Sequence, residues 1–254
     1  MAMAAARELA ACFAKILKRK LVGVYLHGSL AMGDFAAGIS DIDLLVVTRT
    51  APSFEEKAAV LQSLWQQNRA LPAQGVEMSI VTEAVCRHSC DPPAYLFHYS
   101  PRYEKAYRED LAGTCATLQG TDPDLPAHFA VTRARGRALI GPEPAELFAP
   151  IPKNAYLGSV AYDIEGPPPT QAADPVSAVL NLCRTLAFLH TGEICSKGEG
   201  ERWALQQKEL LPFHPLIAAA AAARAGKEGE QLDEEMADRL WKQTVSALLR
   251  ACQE

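Results

Sequence analysis

The sequence has no apolar run long enough to cross a bilayer. Its purest apolar stretch, Leu216 to Ala223, is short and mostly alanine, whereas a membrane-spanning helix needs about 20 apolar residues. The N-terminal region also lacks the uninterrupted apolar core of a secretory signal, since it carries Arg7, Glu8 and Lys15. We therefore expect a cytoplasmic protein without a membrane partner.

The chain also lacks an excess of positive charge. It has 25 Lys and Arg residues against 30 Asp and Glu residues, a formal net charge of -5, and nucleic-acid binding normally needs a clustered basic face. We expect no nucleic-acid partner, and a cationic small molecule suits this charge better. The seven cysteines are an odd number without CxxC spacing, which is typical of a reducing compartment.

The first third of the chain alternates strand and helix patterns. Apolar spacing predicts a helix over about 4–18, strands over 21–26, 44–47 and 76–81, and a helix over 54–68. Such alternation is typical of an α/β (α+β) layer rather than of a helical bundle. We therefore expect an N-terminal domain over residues 1–150 that contains a mixed sheet.

The second half of the chain has a different character. Prolines and glycines are frequent between Gly141 and Asp174, which we interpret as a linker or boundary. Beyond it, apolar residues recur at helical spacing from Val176 to His190, ahead of Gly192, and again over 232–252. We expect an all-α helical-bundle domain over residues 151–254.

Three carboxylates are placed where a metal ion could bind. Asp41 and Asp43 flank Ile42 at the start of a predicted strand, so their side chains project to the same face. On the next predicted strand Glu77 shares a face with Ser79. Oxygen donors of this kind suit Mg²⁺, and one of them can act as a general base. A lone Asp-x-Asp is also common at a solvated strand start.

The turn after the first predicted strand contains Gly28 and Ser29. Glycine allows the backbone to approach a ligand closely, and serine before a short helix directs free amide groups towards a phosphate. Together with the carboxylates, this turn predicts a site in which Mg²⁺ and Gly28-Ser29 bind phosphates while Glu77 removes a proton from an attacking hydroxyl.

These motifs resemble a known family. The segments His27-Gly28-Ser29 and Ser40 to Val46 are similar to the signature of the polymerase-β-type nucleotidyltransferases. In the second half, the segments 179–185, 191–197 and 203–205 resemble the aminoglycoside adenylyltransferases that modify streptomycin and spectinomycin. The resemblance implies an N-terminal nucleotidyltransferase domain, a C-terminal helical domain, and transfer of AMP from ATP to a drug hydroxyl in the cleft between them.

The resemblance also implies roles for individual residues. Asp41, Asp43 and Glu77 match the family's metal ligands, and Glu77 also matches its catalytic base. Arg184 and Lys197 match its triphosphate-binding residues, although a solvated Lys197 and a snorkelling Arg184 are the plain structural alternatives. Independently, Ser196 and Glu199 have the spacing of a capping box, which would place Lys197 at a positive helix end.

The acceptor is the least defined part of the prediction. Asp174 matches a family carboxylate that contacts the cationic drug, but an Asp before Pro175 is also typical of a helix cap. Streptomycin-active members have a tryptophan downstream of the base, where this chain offers only tyrosines and phenylalanine: Tyr95, Phe97, Tyr99, Tyr103 and Tyr107. Spectinomycin is therefore favoured over streptomycin, which stays a candidate.

Two alternatives to this function remain open at the level of sequence. One is nucleotidyl transfer to another small-molecule hydroxyl or to a protein hydroxyl. The other is a nucleotide-binding module that retains the fold without turnover. In each case we expect a monomer that binds ATP.

Overall fold

The computed structural model describes residues 1–68, 73–88, 92–227 and 231–253. The chain divides into two compact units, Met1–Ile151 and Pro152–Glu254. The first contains a mixed sheet with helices on both faces, and the second is helical. The fold class predicted from the sequence is thereby confirmed. Within the described ranges, no helix is both long and apolar enough to span a membrane.

A five-stranded sheet forms the centre of the first unit. Its strands lie in the order β5-β3-β2-β1-β7, and only the β2–β3 pair within it is parallel. Two short strands, β4 and β6, pair separately. The strands are β1 Leu21–His27, β2 Ile42–Thr48, β3 Val76–Thr82, β4 Ala94–Tyr95, β5 Phe97–Tyr99, β6 Gly120–Thr121 and β7 Arg137–Ile140.

Eight α-helices accompany these strands in the described part of the first unit. Five of them have fewer than eight residues and serve as connections, while α1, α3 and α7 are the long ones. The helices are α1 Ala2–Leu17, α2 Gly28–Met32, α3 Phe54–Asn68, α4 Glu83–Arg87, α5 Glu104–Glu109, α6 Leu111–Thr117, α7 Leu125–Arg135 and α8 Pro144–Leu147.

The two faces of the sheet pack against different helices because side chains alternate along each strand. On one face Leu44 and Met78 join the buried residues of α1 and α3. On the other face Leu45 and Val81 pack with Phe129 of α7. The second core is smaller. On the same face, Asp43 at the start of β2 and Glu77 and Ser79 at the start of β3 are polar, so polar side chains lie next to this core.

The second unit consists of five α-helices in its described residues: α9 Lys153–Ile164, α10 Pro175–Thr191, α11 Lys197–Ala204, α12 His214–Arg224 and α13 Glu234–Ala251. The central helix is α10, which packs against α11, α12 and α13. Its apolar stripe, which includes Val179, Leu180 and Cys183, is fully buried in the core of this unit. Gly192 ends α10 in the left-handed conformation, as the sequence predicted.

Residues 141–174, interpreted as a linker or boundary, contain the division between the two units after Ile151. The linker interpretation is wrong for much of the stretch, because it contains α9. The prolines that suggested a linker flank this helix rather than interrupt it. Within α9, Leu157, Ala161 and Ile164 recur at helical spacing and are buried in the core of the second unit. Their burial stabilises this helix, which the sequence pattern did not predict because prolines lie on both sides of it.

Candidate active site

The turn that follows β1 brings the backbone against a carboxylate. Gly28 has a φ of 62°, and a Cβ built on it would lie 2.0 Å from Oδ2 of Asp43. Both the positive φ and this close approach require glycine at this position. Ser29 is the second residue of α2 and is half-buried. The absence of a side chain at Gly28 therefore allows the carboxylate of Asp43 to lie against the turn.

A polar row crosses the sheet next to this turn. Asp43 is the register partner of His27 on β1 and of Glu77 on β3. Because β2 and β3 are parallel and neighbouring strands lie about 4.8 Å apart, the side chains of Asp43 and Glu77 are neighbours on the α7 face. The prediction that Glu77 and Ser79 share a face, opposite Val76, agrees with this register.

Asp41 lies just before the first residue of β2 and is half-buried, as Asp43 is, while Ile42 between them is fully buried. This alternation agrees with the prediction that the two aspartates project together. Among the described residues, no three or more His, Cys, Asp and Glu side chains are gathered closely enough to hold a metal ion by themselves.

The donor chemistry nevertheless fits Mg²⁺. This ion is usually bound by one or two carboxylates while it keeps several waters and contacts the phosphates of a substrate. The adjacent strands β2 and β3 supply carboxylate oxygens from Asp43 and Glu77, and Asp41 lies close along the chain. These residues suit a metal ion that arrives with a nucleotide better than a permanently enclosed one.

Glu77 has a defined hydrogen-bond partner. The hydroxyl of Ser100, which is only 3% exposed, donates to Oε1 of Glu77 over 2.8 Å. One step further along the strands, Oγ of Ser79 lies 3.0 Å from Nδ1 of His98. Burial lowers the pKa of His98, against the opposing charge of Glu77. The α7 face of the sheet therefore carries two hydrogen-bonded polar pairs, Ser100 with Glu77 and Ser79 with His98.

Two histidines lie on the other side of Asp43. The rings of His27 and His128 make an edge contact with 5.0 Å between their centroids. Burial and the neighbouring His128 lower the pKa of His27 well below its ordinary value. Burial also opposes protonation of His128, but Asp124, Asp43 and other aspartates outweigh it and raise its pKa to about 9.

Among the groups that raise the pKa of His128, Asp124 has the largest effect. Nε2 of His128, on α7, lies 2.8 Å from Oδ2 of Asp124, the N-cap residue of that helix. The site thus contains a neutral histidine, His27, whose ring contacts that of a cationic histidine, His128. Sequence reasoning missed both, although Asp124 and His128 have the i,i+4 spacing of a helical pair.

The aromatic segment downstream of Glu77 separates into two groups. Phe97, Tyr99 and Tyr107 are fully buried and belong to the core of the first unit. Tyr95 and Tyr103 are half-buried, and both rings make edge contacts with His98. Of these five aromatic residues, only the last two have exposed surface to offer to a ligand.

The two cations predicted to bind phosphate lie on neighbouring helices of the second unit. Arg184 is on α10, and Lys197 is the first residue of α11. A Cβ on Gly200 would lie 2.5 Å from Cα of Arg184, so α11 packs directly on α10 one turn after Lys197. Ser196 and Glu199 form the predicted capping box at this helix start. The backbones of α10 and α11 are therefore in contact at Arg184 and Gly200, three residues after Lys197.

Asp174 is the N-cap of α10. Its Oδ1 accepts a hydrogen bond from the backbone N–H of Ser177 over 2.9 Å, and its side chain is exposed. The structural alternative noted from the sequence is therefore realised. A cap of this kind uses one carboxylate oxygen, so the residue keeps a second oxygen and its charge.

Gly28, Ser29, Asp41, Asp43 and Glu77 converge at one end of the sheet in the first unit, whereas Arg184, Lys197 and Asp174 belong to the second. Ser100 was also missed by sequence reasoning. No sequence signal identifies it, because its contact with Glu77 depends on the pairing of β5 with β3.

Two family profiles match the chain. The profile described as "Nucleotidyltransferase domain" matches residues 8–87. The profile described as "Aminoglycoside adenylyltransferase, C-terminal domain" matches residues 146–248. The first contains the turn and all three carboxylates, and the second contains Arg184, Lys197 and Asp174. The resemblance stated from the sequence motifs is thereby confirmed.

Characterised relatives and a solved structure agree with these profiles. An aminoglycoside (3'') (9) adenylyltransferase from Escherichia coli is 26% identical over 89% of this chain and 86% of its own length. A spectinomycin 9-adenylyltransferase from Staphylococcus aureus is 29% identical over 83% of this chain and 79% of its own. A crystal structure of a spectinomycin adenyltransferase from Enterococcus faecialis, solved with ATP and spectinomycin, has the same fold, with a TM-score of 0.80. The two sequences are 19% identical, and the match covers 98% of this chain and 100% of the other.

Proposed function

The chain is a nucleotidyltransferase of the aminoglycoside adenylyltransferase type, and on this premise we propose that it transfers AMP from ATP to a hydroxyl of an aminocyclitol or aminoglycoside antibiotic. Pyrophosphate is the second product and Mg²⁺ the cofactor. The observation that carries the proposal is the pairing of Asp43 with Glu77 on adjacent strands beside the turn at Gly28.

In the proposed reaction Glu77 accepts the proton of the acceptor hydroxyl. The oxygen then forms a bond to the α-phosphorus of ATP, and the bond between that phosphorus and the bridging oxygen breaks, so that pyrophosphate leaves. Mg²⁺ held by Asp41, Asp43 and Glu77 would neutralise the charge that develops on the phosphates. Gly28 and Ser29 orient the phosphates through backbone amides.

Arg184 and Lys197 supply positive charge to the triphosphate in this proposal. Their neighbouring positions on α10 and α11 support a shared ligand. Lys197 lies in the first turn of α11, and the positive end of this helix also favours a phosphate. The cleft between the domains that the resemblance implies stays a prediction.

Spectinomycin is the favoured acceptor. The described segment after Glu77 offers two half-buried tyrosines, Tyr95 and Tyr103, in place of the tryptophan found in streptomycin-active members. A named relative of similar length acts on spectinomycin, and a structure with the same fold contains it. The charge of Asp174 and the net charge of -5 both suit a cationic drug.

We place the reaction in the cytoplasm and expect a monomer that has no nucleic-acid or membrane partner. The acidic balance of the chain and the six free cysteines among its described residues support this assignment.

The test is a measurement of pyrophosphate release with ATP, Mg²⁺ and a panel containing spectinomycin and streptomycin, with a drug-free control. We expect release that depends on spectinomycin, and loss of that release in Asp43→Asn. A folded protein that releases no pyrophosphate with any member of the panel would remove this function. Release with streptomycin but not spectinomycin would contradict the assigned acceptor alone.

A further inference from the structure

We propose that Ser100 is a positioning residue that holds the carboxylate of Glu77 for proton transfer. This inference rests on the proposed function, in which Glu77 is the base. The serine hydroxyl donates to Oε1 of Glu77 over 2.8 Å, and Ser100 is almost completely shielded from water. A buried hydroxyl has no competing water to bond with, so its donor stays directed at the carboxylate.

The bond lies on the side of Glu77 that faces away from Asp43. The strand order β5-β3-β2 places Ser100, directly after β5, and Asp43, on β2, on opposite sides of β3. Two ionised carboxylates on neighbouring strands repel each other. Anchoring Oε1 towards β5 holds one oxygen in place and leaves Oε2 for the acceptor or the metal ion.

The backbone around Ser100 is fixed by a contact outside the site. A Cβ on Gly75 would lie 2.3 Å from Cγ of Pro101, so the residue before β3 packs directly against the residue after Ser100. Pro101 also restricts Ser100 to an extended conformation, which is observed at φ -142° and ψ 151°. The carbonyl of Ser100 accepts a hydrogen bond from the N–H of Tyr103 over 2.9 Å.

This frame connects the serine to the catalytic strand. Gly75 is two residues before Glu77, and its carbonyl accepts a hydrogen bond from the N–H of Ile42 over 3.0 Å. The contacts from Pro101 through Gly75 to Ile42 therefore link β5, β3 and β2 at the level of the carboxylates. Among these residues, Ser100 is the one whose side chain donates a hydrogen bond to Glu77.

The test compares Ser100→Ala, which removes the donor, with Ser100→Thr, which keeps it in an extended conformation that suits a β-branched residue. The matched control is Thr114→Val, which removes another buried hydroxyl of the same unit, one that donates to the carbonyl of Ala106 over 3.1 Å. Activity, Mn²⁺ binding to the ATP-loaded protein and thermal stability are measured for each variant.

Loss of a residue that orients a metal ligand or base costs about tenfold to a hundredfold in activity or metal affinity. We expect a loss of that size in kcat and in Mn²⁺ affinity for Ser100→Ala, with an unchanged KM for ATP. Ser100→Thr should recover most of both, and Thr114→Val should change neither. In a Glu77→Gln background, Ser100→Ala should cause no further loss of kcat.

The inference is overturned if Ser100→Ala keeps wild-type kcat and Mn²⁺ affinity, or if Thr114→Val loses as much as Ser100→Ala. The Mn²⁺ measurement needs no acceptor. If the wild-type protein transfers AMP to no drug in the panel, the proposed function fails, while Mn²⁺ affinity still decides the role of Ser100. A crystal structure of Ser100→Ala with Glu77 in the same rotamer would also contradict the inference.

Discussion

Asp43 on β2 and Glu77 on β3 are register partners on adjacent parallel strands, and Oδ2 of Asp43 lies only 2.0 Å from the position that a Cβ of residue 28 would take. The same aspartate is thus in contact with the turn and next to the base. Close carboxylates repel each other unless a cation lies between them. The proximity of Asp43 and Glu77 therefore destabilises the fold by itself, but it suits the binding of a metal ion.

The first prediction concerns the contact between Gly28 and Asp43. Gly28→Ala should abolish transfer, because the new methyl group would lie 2.0 Å from Oδ2 of Asp43 and displace that carboxylate. The control is Gly33→Ala, since Gly33 also has a positive φ, 77°, but a Cβ there would meet no atom of the described residues within 4 Å. Each substitution should cost about 1 kcal/mol of stability or more from backbone strain. Transfer assays and thermal melts are compared, and equal loss of activity in both variants would contradict the assigned role.

The second prediction concerns the pH dependence that His128 confers. Its pKa in the folded protein is raised to about 9 from an ordinary 6.5, so protonation stabilises the fold. This contribution is complete below about pH 6.5 and is lost as the pH rises through about 9. Asp124→Asn should flatten the decline in Tm across that interval, measured without divalent cations.

The control for this titration is Asp233→Asn, which changes the cap of α13 in the other unit. Asn is also a good cap, so this variant should follow the wild-type pH profile. A wild-type Tm that does not fall between about pH 6.5 and 9, or a decline that Asp124→Asn leaves intact, would contradict the pairing of His128 with Asp124.

The third prediction concerns the triphosphate. Arg184→Ala and Lys197→Ala should each raise the KM for ATP about tenfold or more, since a hydrogen bond to a charged group contributes about 1.5 to 3 kcal/mol. Lys208→Ala removes an exposed cation of the same unit and should leave this KM unchanged. Initial rates at varied ATP concentration decide the matter. An equal effect of all three substitutions would point to net charge rather than to specific contacts.

The fourth prediction separates the two roles of Asp174. Asp174→Asn keeps the cap of α10 but removes the charge, whereas Asp174→Ala removes both. If the carboxylate contacts the cationic drug, both variants raise the KM for the drug, and only Asp174→Ala lowers the stability, by about 1 kcal/mol. A drug KM that is unchanged in Asp174→Asn would leave the residue as a helix cap alone.

Much of the fold could be predicted because local patterns and tertiary burial agree. The predicted helix over 54–68 has the bounds of α3, and the buried run of β2 contains the predicted strand over 44–47. Helix α9 could not be predicted, since the prolines around it dominate the local pattern while its stability comes from burial in the second unit.

The part of the candidate site that depends on the alternation of side chains along a strand could be predicted from the sequence. Asp43 and Glu77 share a face because each alternates with buried neighbours, and the sequence contains that pattern. Their registration, and the contact of Glu77 with Ser100, depend on which strands pair. Strand order and helix packing are tertiary properties, so the role of Ser100 and the contact of His128 with His27 emerged only from the structure.

Glu77 is expected to act as the base in AMP transfer to an aminocyclitol, and mass spectrometry of spectinomycin after incubation with ATP and Mg²⁺ measures that transfer. The wild-type protein should add one AMP group to the drug. Glu77→Gln should bind ATP but form the adduct at least about a hundredfold more slowly, while Glu104→Gln, a carboxylate outside the site that accepts from Arg108, should match the wild type. Unmodified spectinomycin with the wild-type protein, or undiminished transfer by Glu77→Gln, would contradict the account.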